Sequence, residues 1–159
     1  MASFDDRFLQ MFFEEARELL ITLEEGLMEL ERRRGDRSHL DKVFRAAHSI
    51  KGAAAMVGLS QIAEFTHGIE AVLDKVRTGS LTVDSDLIST LLEARDHLAS
   101  AVESEAAGAS LGVPSELVAR LAAFLKEPSA SKATVVVTPG PPPASSAAPT
   151  PPAAAVSPP

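Results

Sequence analysis

The chain of 159 residues has no cysteine, no tryptophan and no tyrosine. Without cysteine there are no disulfides, no thiol chemistry and no Cys-based zinc site, a composition that fits a cytoplasmic location. With phenylalanine as the sole aromatic hydrocarbon side chain, a base-stacking platform for nucleic acid would have to use Phe alone. Basic charge is in short supply, 15 Lys and Arg against 22 Asp and Glu, for a net charge of −7. That balance argues against nucleic-acid partners and against contact with an anionic membrane. No apolar run approaches the ~20 residues needed to span a bilayer. Asp5, Asp6 and Arg7 come too early for a secretory leader. No Gly-x-Ser-x-Gly elbow and no glycine-rich phosphate loop occur, so neither a hydrolase nor an ATP site is expected within this chain.

What is present is helical periodicity. Phe8 or Leu9, Phe12, Ala16, Leu19, Leu23, Leu27 and Leu30 recur at helical spacing, predicting a first helix from 4 to about 34. Ser3 would cap it, and Arg32, Arg33, Arg34 and Gly35 would close it. Met11, Phe13, Leu20 and Met28 fall beside its main stripe, either widening the core face or lying open to a partner. A second helix is expected from Ser38, as cap, to Val57, with Asp41 in a variant capping box. A third would run from a Ser60 cap to Gly79, and a fourth from an Asp84 cap to Glu105. Pro114 would start a shorter fifth, ending by Pro128. From Ser129 onward Pro, Ala, Ser and Thr dominate, the composition of a flexible linker in which Thr134–Val137 is too short to fold alone. The expected fold is all-α: an antiparallel up-down-up-down four-helix bundle over 1–127 with a fifth C-terminal helix, then a Pro/Ala-rich linker over 128–159.

Between the second and third helices the sequence places four polar residues together. His48 and Lys51 precede the join at Gly58-Leu59-Ser60, and His67 and Glu70 follow it. Each pair is three apart, so each shares a helix face. His48 and Glu70 are both eleven residues from Leu59, roughly 16 Å along the hairpin, and Lys51 and His67 are both eight away, roughly 12 Å. His48 should therefore lie level with Glu70, and Lys51 with His67. A carboxylate that accepts the Nδ1 proton fixes the tautomer with Nε2 free, and a free neutral Nε2 is a nucleophile. Lys51 could hold an incoming phosphoryl group. Gly52, one turn after His48, costs about 1 kcal/mol relative to Ala in a helix interior, so it serves either to clear an approach to the imidazole or to let helices pack closely.

Other readings compete. A metal site from His48, His67 and Glu70 would have Lys51 repelling the cation. A salt-bridged patch of Lys51 with Glu70 or Glu64, with the histidines as bystanders, accounts for the spacing as well as phosphoryl chemistry does. His39, beside the first turn, and His97, in a charged stretch, read as solvated or hydrogen-bonded side chains without chemistry.

The segments FRAAHSIKGAAAMVGL and FTHGIEAVLDKVRTG, with the opening FFEEARELL, resemble the N-terminal histidine phosphotransfer domain of the CheA family of bacterial chemotaxis kinases, over roughly Phe4 to Glu105. The resemblance implies that His48 is phosphorylated, that Glu70 bonds its imidazole, and that Lys51 and His67 complete the polar network. It implies that Gly52 lets partner active sites reach the ring, and that Phe13, Leu20, Phe44 and Ser49 meet partners. ATP would belong to a separate kinase catalytic domain, Mg2+ to a CheY- or CheB-type response regulator, and no cofactor to this chain. The implied domain is a monomeric phosphoacceptor and phosphodonor, not itself an enzyme, in the cytoplasm or at a chemoreceptor cluster. Met56-Val57-Gly58-Leu59 departs from the aromatic many relatives carry near the turn. A multistep-relay phosphotransfer protein and a helical adaptor with a purely structural patch remain the alternatives.

Overall fold

In the computed structural model, which describes residues 4–126, the chain forms five α-helices: α1 Phe4–Glu29, α2 Arg37–Met56, α3 Ser60–Arg77, α4 Ser85–Ala106 and α5 Ser115–Lys126. The first four close into a ring in which α2 packs between α1 and α3, and α4 between α3 and α1, while α5 lies against α3 and α4. Neighbours run antiparallel. Between α2 and α3, Asp41 meets Arg77 and His48 meets Glu70; between α1 and α4, Arg17 meets Glu103 and Glu24 meets Arg95. This is the expected bundle with a fifth helix on its side. The Ser3 cap, the proline at 128 and the stretch 128–159 lie outside the described residues.

The interior is built from the periodic apolar positions, with Leu23, Leu27, Leu30, Ile50, Ile69, Leu87, Leu91 and Leu98 fully buried. Each such side chain contributes about 1.5–3 kcal/mol of hydrophobic stabilisation. Helix α1 touches two neighbours, α2 and α4, so its buried face is wider than a single stripe. Phe13 and Leu20 belong to that wider face, at 7% and 3% exposure. They are core residues, which corrects the expectation that they meet a partner. Met11 and Met28 are exposed.

The helix ends differ from the sequence expectation where side chains from elsewhere satisfy the backbone. Helix α1 stops at Glu29, short of its arginine run. The Leu30 amide turns to the Leu27 carbonyl, and the Gly26 carbonyl accepts the Nε2 hydrogen of buried His39 at 2.9 Å. Of two neighbouring cap residues, Asp36 and not Ser38 caps α2, accepting the His39 amide at 3.1 Å. That choice makes His39 the third helical residue and brings its ring to α1. Asp41 is not part of the cap and pairs with Arg77. Helix α3 starts at Ser60 without a side-chain cap, whereas Asp84 caps α4 as expected.

The α2–α3 turn sets the height at which the polar residues meet. Gly58 has φ +80°, a left-handed conformation that L side chains rarely adopt. Its amide bonds Ala55 O, and the Leu59 amide bonds Ala54 O at 2.9 Å. These are the paired bonds of a glycine-terminated helix end, and Gly79 closes α3 in the same way.

Candidate functional site

His48, Lys51 and Glu70 come together on one side of the α2–α3 hairpin. The His48 Nδ1–H donates to Glu70 Oε2 at 3.0 Å. Lys51 Nζ donates to the same carboxylate, 2.9 Å from Oε1 and 2.8 Å from Oε2. Glu70 thus sits between the levels of the two α2 residues and binds both. Its side chain is 13% exposed, against 59% for His48. Burial pushes the Glu70 carboxyl up, but the hydrogen bonds from Lys51 and His48 and their charges outweigh it and hold the group below its ordinary value. An ionised Glu70 accepts but cannot donate, so the neutral imidazole carries its proton on Nδ1 and leaves a lone pair on Nε2. The result is an exposed histidine with one nitrogen anchored and the other free.

His67 does not join this network. It is exposed on α3 one turn before Glu70, and Glu70 takes Lys51, the residue expected level with it. The pairing of Lys51 with Glu64 does not occur either. Gly52 is exposed, and a Cβ added there would meet nothing within 4 Å. Close helix packing therefore does not explain it, and the space over α2 beyond His48 is open. Ser49 is exposed beside His48. Phe44 is half-buried and packed against the core. Its ring stacks on the imidazole one turn later, centroids 5.9 Å apart and planes 17° from parallel.

Two features went unread in the sequence, and a third corrects it. Arg77 places its guanidinium carbon 4.0 Å from the centre of the Phe44 ring, while bonding Asp74 at 2.7 Å and Asp41 at 3.5 Å. The signal was available, because Asp41 and Arg77 are equally distant from Leu59, like His48 and Glu70. A cleft of about 480 Å³ between the start of α1 and the end of α2 is lined by Phe8, Met11, Met56 and the rim acids Asp5 and Glu15, and all three of those apolar side chains are exposed. His97, expected to be solvated or hydrogen-bonded, is instead half-buried and edge-on to Phe65, and its buried Nε2 has no partner among the described residues. Among the described residues no group of His, Asp and Glu is arranged to hold a metal ion, and no helix is long and apolar enough to cross a membrane.

A family model described as the Hpt domain matches residues 7–104, more than half of the chain. The chemotaxis protein CheA of Treponema pallidum is 34% identical over 140 residues, covering 85% of this chain and 17% of that protein. CheA of Salmonella typhimurium is 43% identical over 89 residues, covering 56% of this chain and 13% of that protein. The chain therefore spans less than a fifth of the length of these two relatives. Among solved structures, the phosphorylated P1 domain of CheA3 in complex with CheY6 from R. sphaeroides aligns with TM-score 0.66 and 27% identity, over 74% of this chain and 94% of that one. The solution structure of a histidine phosphotransfer domain of CheA aligns with TM-score 0.68 and 28% identity, over 76% and 90%.

Proposed function

The chain belongs to the Hpt domain family, and from that premise we propose that it is the phosphotransfer domain of a CheA-type chemotaxis kinase, with His48 as its phosphoryl carrier. The observation that carries this reading is the division of labour on the ring: Nδ1 bonded to a buried-side carboxylate, Nε2 free on an exposed side chain. In the first step the Nε2 lone pair attacks the γ-phosphorus of ATP held by a separate kinase domain. The N–P bond forms, the bond from phosphorus to the bridging oxygen breaks, and ADP leaves. The Nδ1 proton stays on the ring, where Glu70 stabilises the positive charge the ring acquires. In the second step an aspartate oxygen of a CheY- or CheB-type regulator, with its own Mg2+, attacks the same phosphorus. The N–P bond breaks and its electrons return to Nε2. Lys51 balances the phosphoryl charge near Glu70, and Gly52 leaves the approach clear.

On this reading the chain accepts and donates phosphate without itself being a kinase. Its regulator docks along α1 and α2, and the exposed apolar cleft of Phe8, Met11 and Met56 supports that choice in place of Phe13 and Leu20. Met56 stands eight residues from His48 on α2, about 12 Å along the helix. We further assign residues 128–159 to a linker and the domain to the cytoplasm, on composition. The decisive assay mixes the chain with radiolabelled ATP and a chemotaxis kinase catalytic core, beside His48→Gln. Acid-labile label on the parent and none on the variant is the expected result. An unlabelled parent, with the kinase active on another Hpt substrate, would leave a structural patch as the better reading.

A further inference from the structure

The phosphotransfer reading leaves open how the His48 ring is aimed. One hydrogen bond to Glu70 fixes the tautomer but does not fix the ring plane, and a side chain 59% exposed is not held by packing on all sides. The Nε2 lone pair lies in that plane. Attack on phosphorus needs it in line with the breaking P–O bond, so a ring that turns freely loses part of its reactive population.

A second set of contacts acts on the plane. Phe44 lies nearly parallel to the imidazole at 5.9 Å. Phe44 is packed against the core on its inner side and carries the Arg77 guanidinium 4.0 Å from its ring centre, within range of a cation–π attraction. Arg77 is in turn tied to Asp74 on its own helix and to Asp41 on α2. The order of contacts runs from the two aspartates to Arg77, then Phe44, then the imidazole, and none of it passes through Glu70. The aromatic face also suits a ring that becomes cationic as its N–P bond forms.

We infer that Phe44 and Arg77 are positioning residues for His48: they hold the plane of the imidazole while Glu70 holds its proton. This rests on the phosphotransfer reading, and the test separates the two. The 159-residue chain serves as substrate for a chemotaxis kinase catalytic domain, and kcat and KM are measured for the parent, Phe44→Leu, Phe44→Tyr, Arg77→Gln and Arg77→Lys. The mobility of the His48 ring is followed by 13C relaxation at Cδ2 and Cε1 and its tautomer by 15N NMR, and folding is checked by circular dichroism. Phe44→Leu should lower kcat about tenfold with KM within about twofold of the parent, and Phe44→Tyr should restore it. Arg77→Gln should lose about threefold, which Arg77→Lys recovers in part because the cation is kept. In the Leu and Gln variants the ring should become more mobile, while the nitrogen shifts stay those of the Nδ1–H tautomer that Glu70 fixes. Parental kcat and unchanged ring mobility in Phe44→Leu would overturn the inference. So would a change in KM alone, which would make Phe44 a docking contact, or a loss that tracks unfolding and that Tyr does not rescue. A parent that takes no label while its ring mobility still responds to Phe44 and Arg77 would remove the phosphotransfer reading and leave the ring positioning standing.

Discussion

Helix α2 carries two histidines, nine residues apart and so on opposite sides of the helix, and the fold treats them in opposite ways. His39 is 5% exposed. Its Nε2 bonds the Gly26 carbonyl and its Nδ1 faces the Arg33 guanidinium at 3.4 Å, so both nitrogens are engaged within the protein. His48 engages one nitrogen and leaves the other to solvent. The fold thus closes one ring off from further partners and leaves the other with a nitrogen open to them. The sharpest way to break the comparison is to remove each ring. His48→Gln should abolish acid-labile labelling and leave the urea unfolding midpoint close to that of the parent. His39→Ala should still be labelled but should lose about 2–4 kcal/mol of stability, since it opens a cavity and strips a partner from a buried carbonyl. A labelled His48→Gln would show that another histidine carries the phosphate.

The next effect concerns the anchor. Glu70→Ala releases both His48 and Lys51, and labelling of His48 should slow roughly tenfold, about 1.4 kcal/mol in the barrier. Glu70→Gln keeps an acceptor for Nδ1–H but loses the charge, so its rate should fall between the two. Ionised Glu70 also favours the fold. Its carboxyl titrates lower in the folded state than in the unfolded chain, so its contribution is present above the ordinary carboxylate range and is lost as pH falls through the folded value. Acid unfolding of Glu70→Gln should therefore show a shallower loss below about pH 4.5. An identical acid limb in parent and variant would mean that Lys51 and His48 do not hold the carboxylate as the geometry implies.

Two glycines sharpen the contrast between a packed face and an open one. A Cβ on Gly26 would fall 2.5 Å from Val43 Cγ2, whereas one on Gly52 would meet nothing within 4 Å. Val43 is β-branched and fully packed, with little freedom to yield. Gly26→Ala should cost about 1–3 kcal/mol, while Gly52→Ala should gain about 0.5–1 kcal/mol and slow phosphotransfer by crowding the approach to Nε2. Thermal melts alongside the labelling assay check both. A Gly52→Ala variant that is more stable and equally fast would remove the glycine from the partner's path.

This contrast marks what could be read from the sequence. The helices, the Asp84 cap and the meeting of His48 with Glu70 were legible because each depends on local spacing or on distance from one glycine-terminated turn. The burial of Phe13 and Leu20 was not, because one helix's stripe does not reveal that a second neighbour, α4, covers its flank. The early end of α1 was hidden for the same reason: the His39 ring that bonds Gly26 comes from another helix, and the local signals of Arg32, Arg33, Arg34 and Gly35 all favoured a longer one. His67 was misplaced by a finer effect. Equal distance from the turn predicts the level of a residue, but the Glu70 side chain reaches across levels and takes Lys51.

His97 supplies the smallest effect and a third state of the same ring, half-buried with a nitrogen that has no partner among the described residues. Burial lowers its pKa from the ordinary imidazole value. The unfolded chain therefore binds this proton more readily than the folded one, and stability falls as pH drops below about 6.5. The loss continues until the folded ring also protonates, after which this group adds no further slope. Phe65 packs edge-on against the imidazole, so His97→Leu keeps an apolar contact there while removing the titration. Urea midpoints at pH 7.5 and 5.5 should move apart in the parent and draw together in His97→Leu. If His97→Leu retains the full difference, the acid-sensitive proton belongs to another group, and the half-buried ring is no weak point in the bundle.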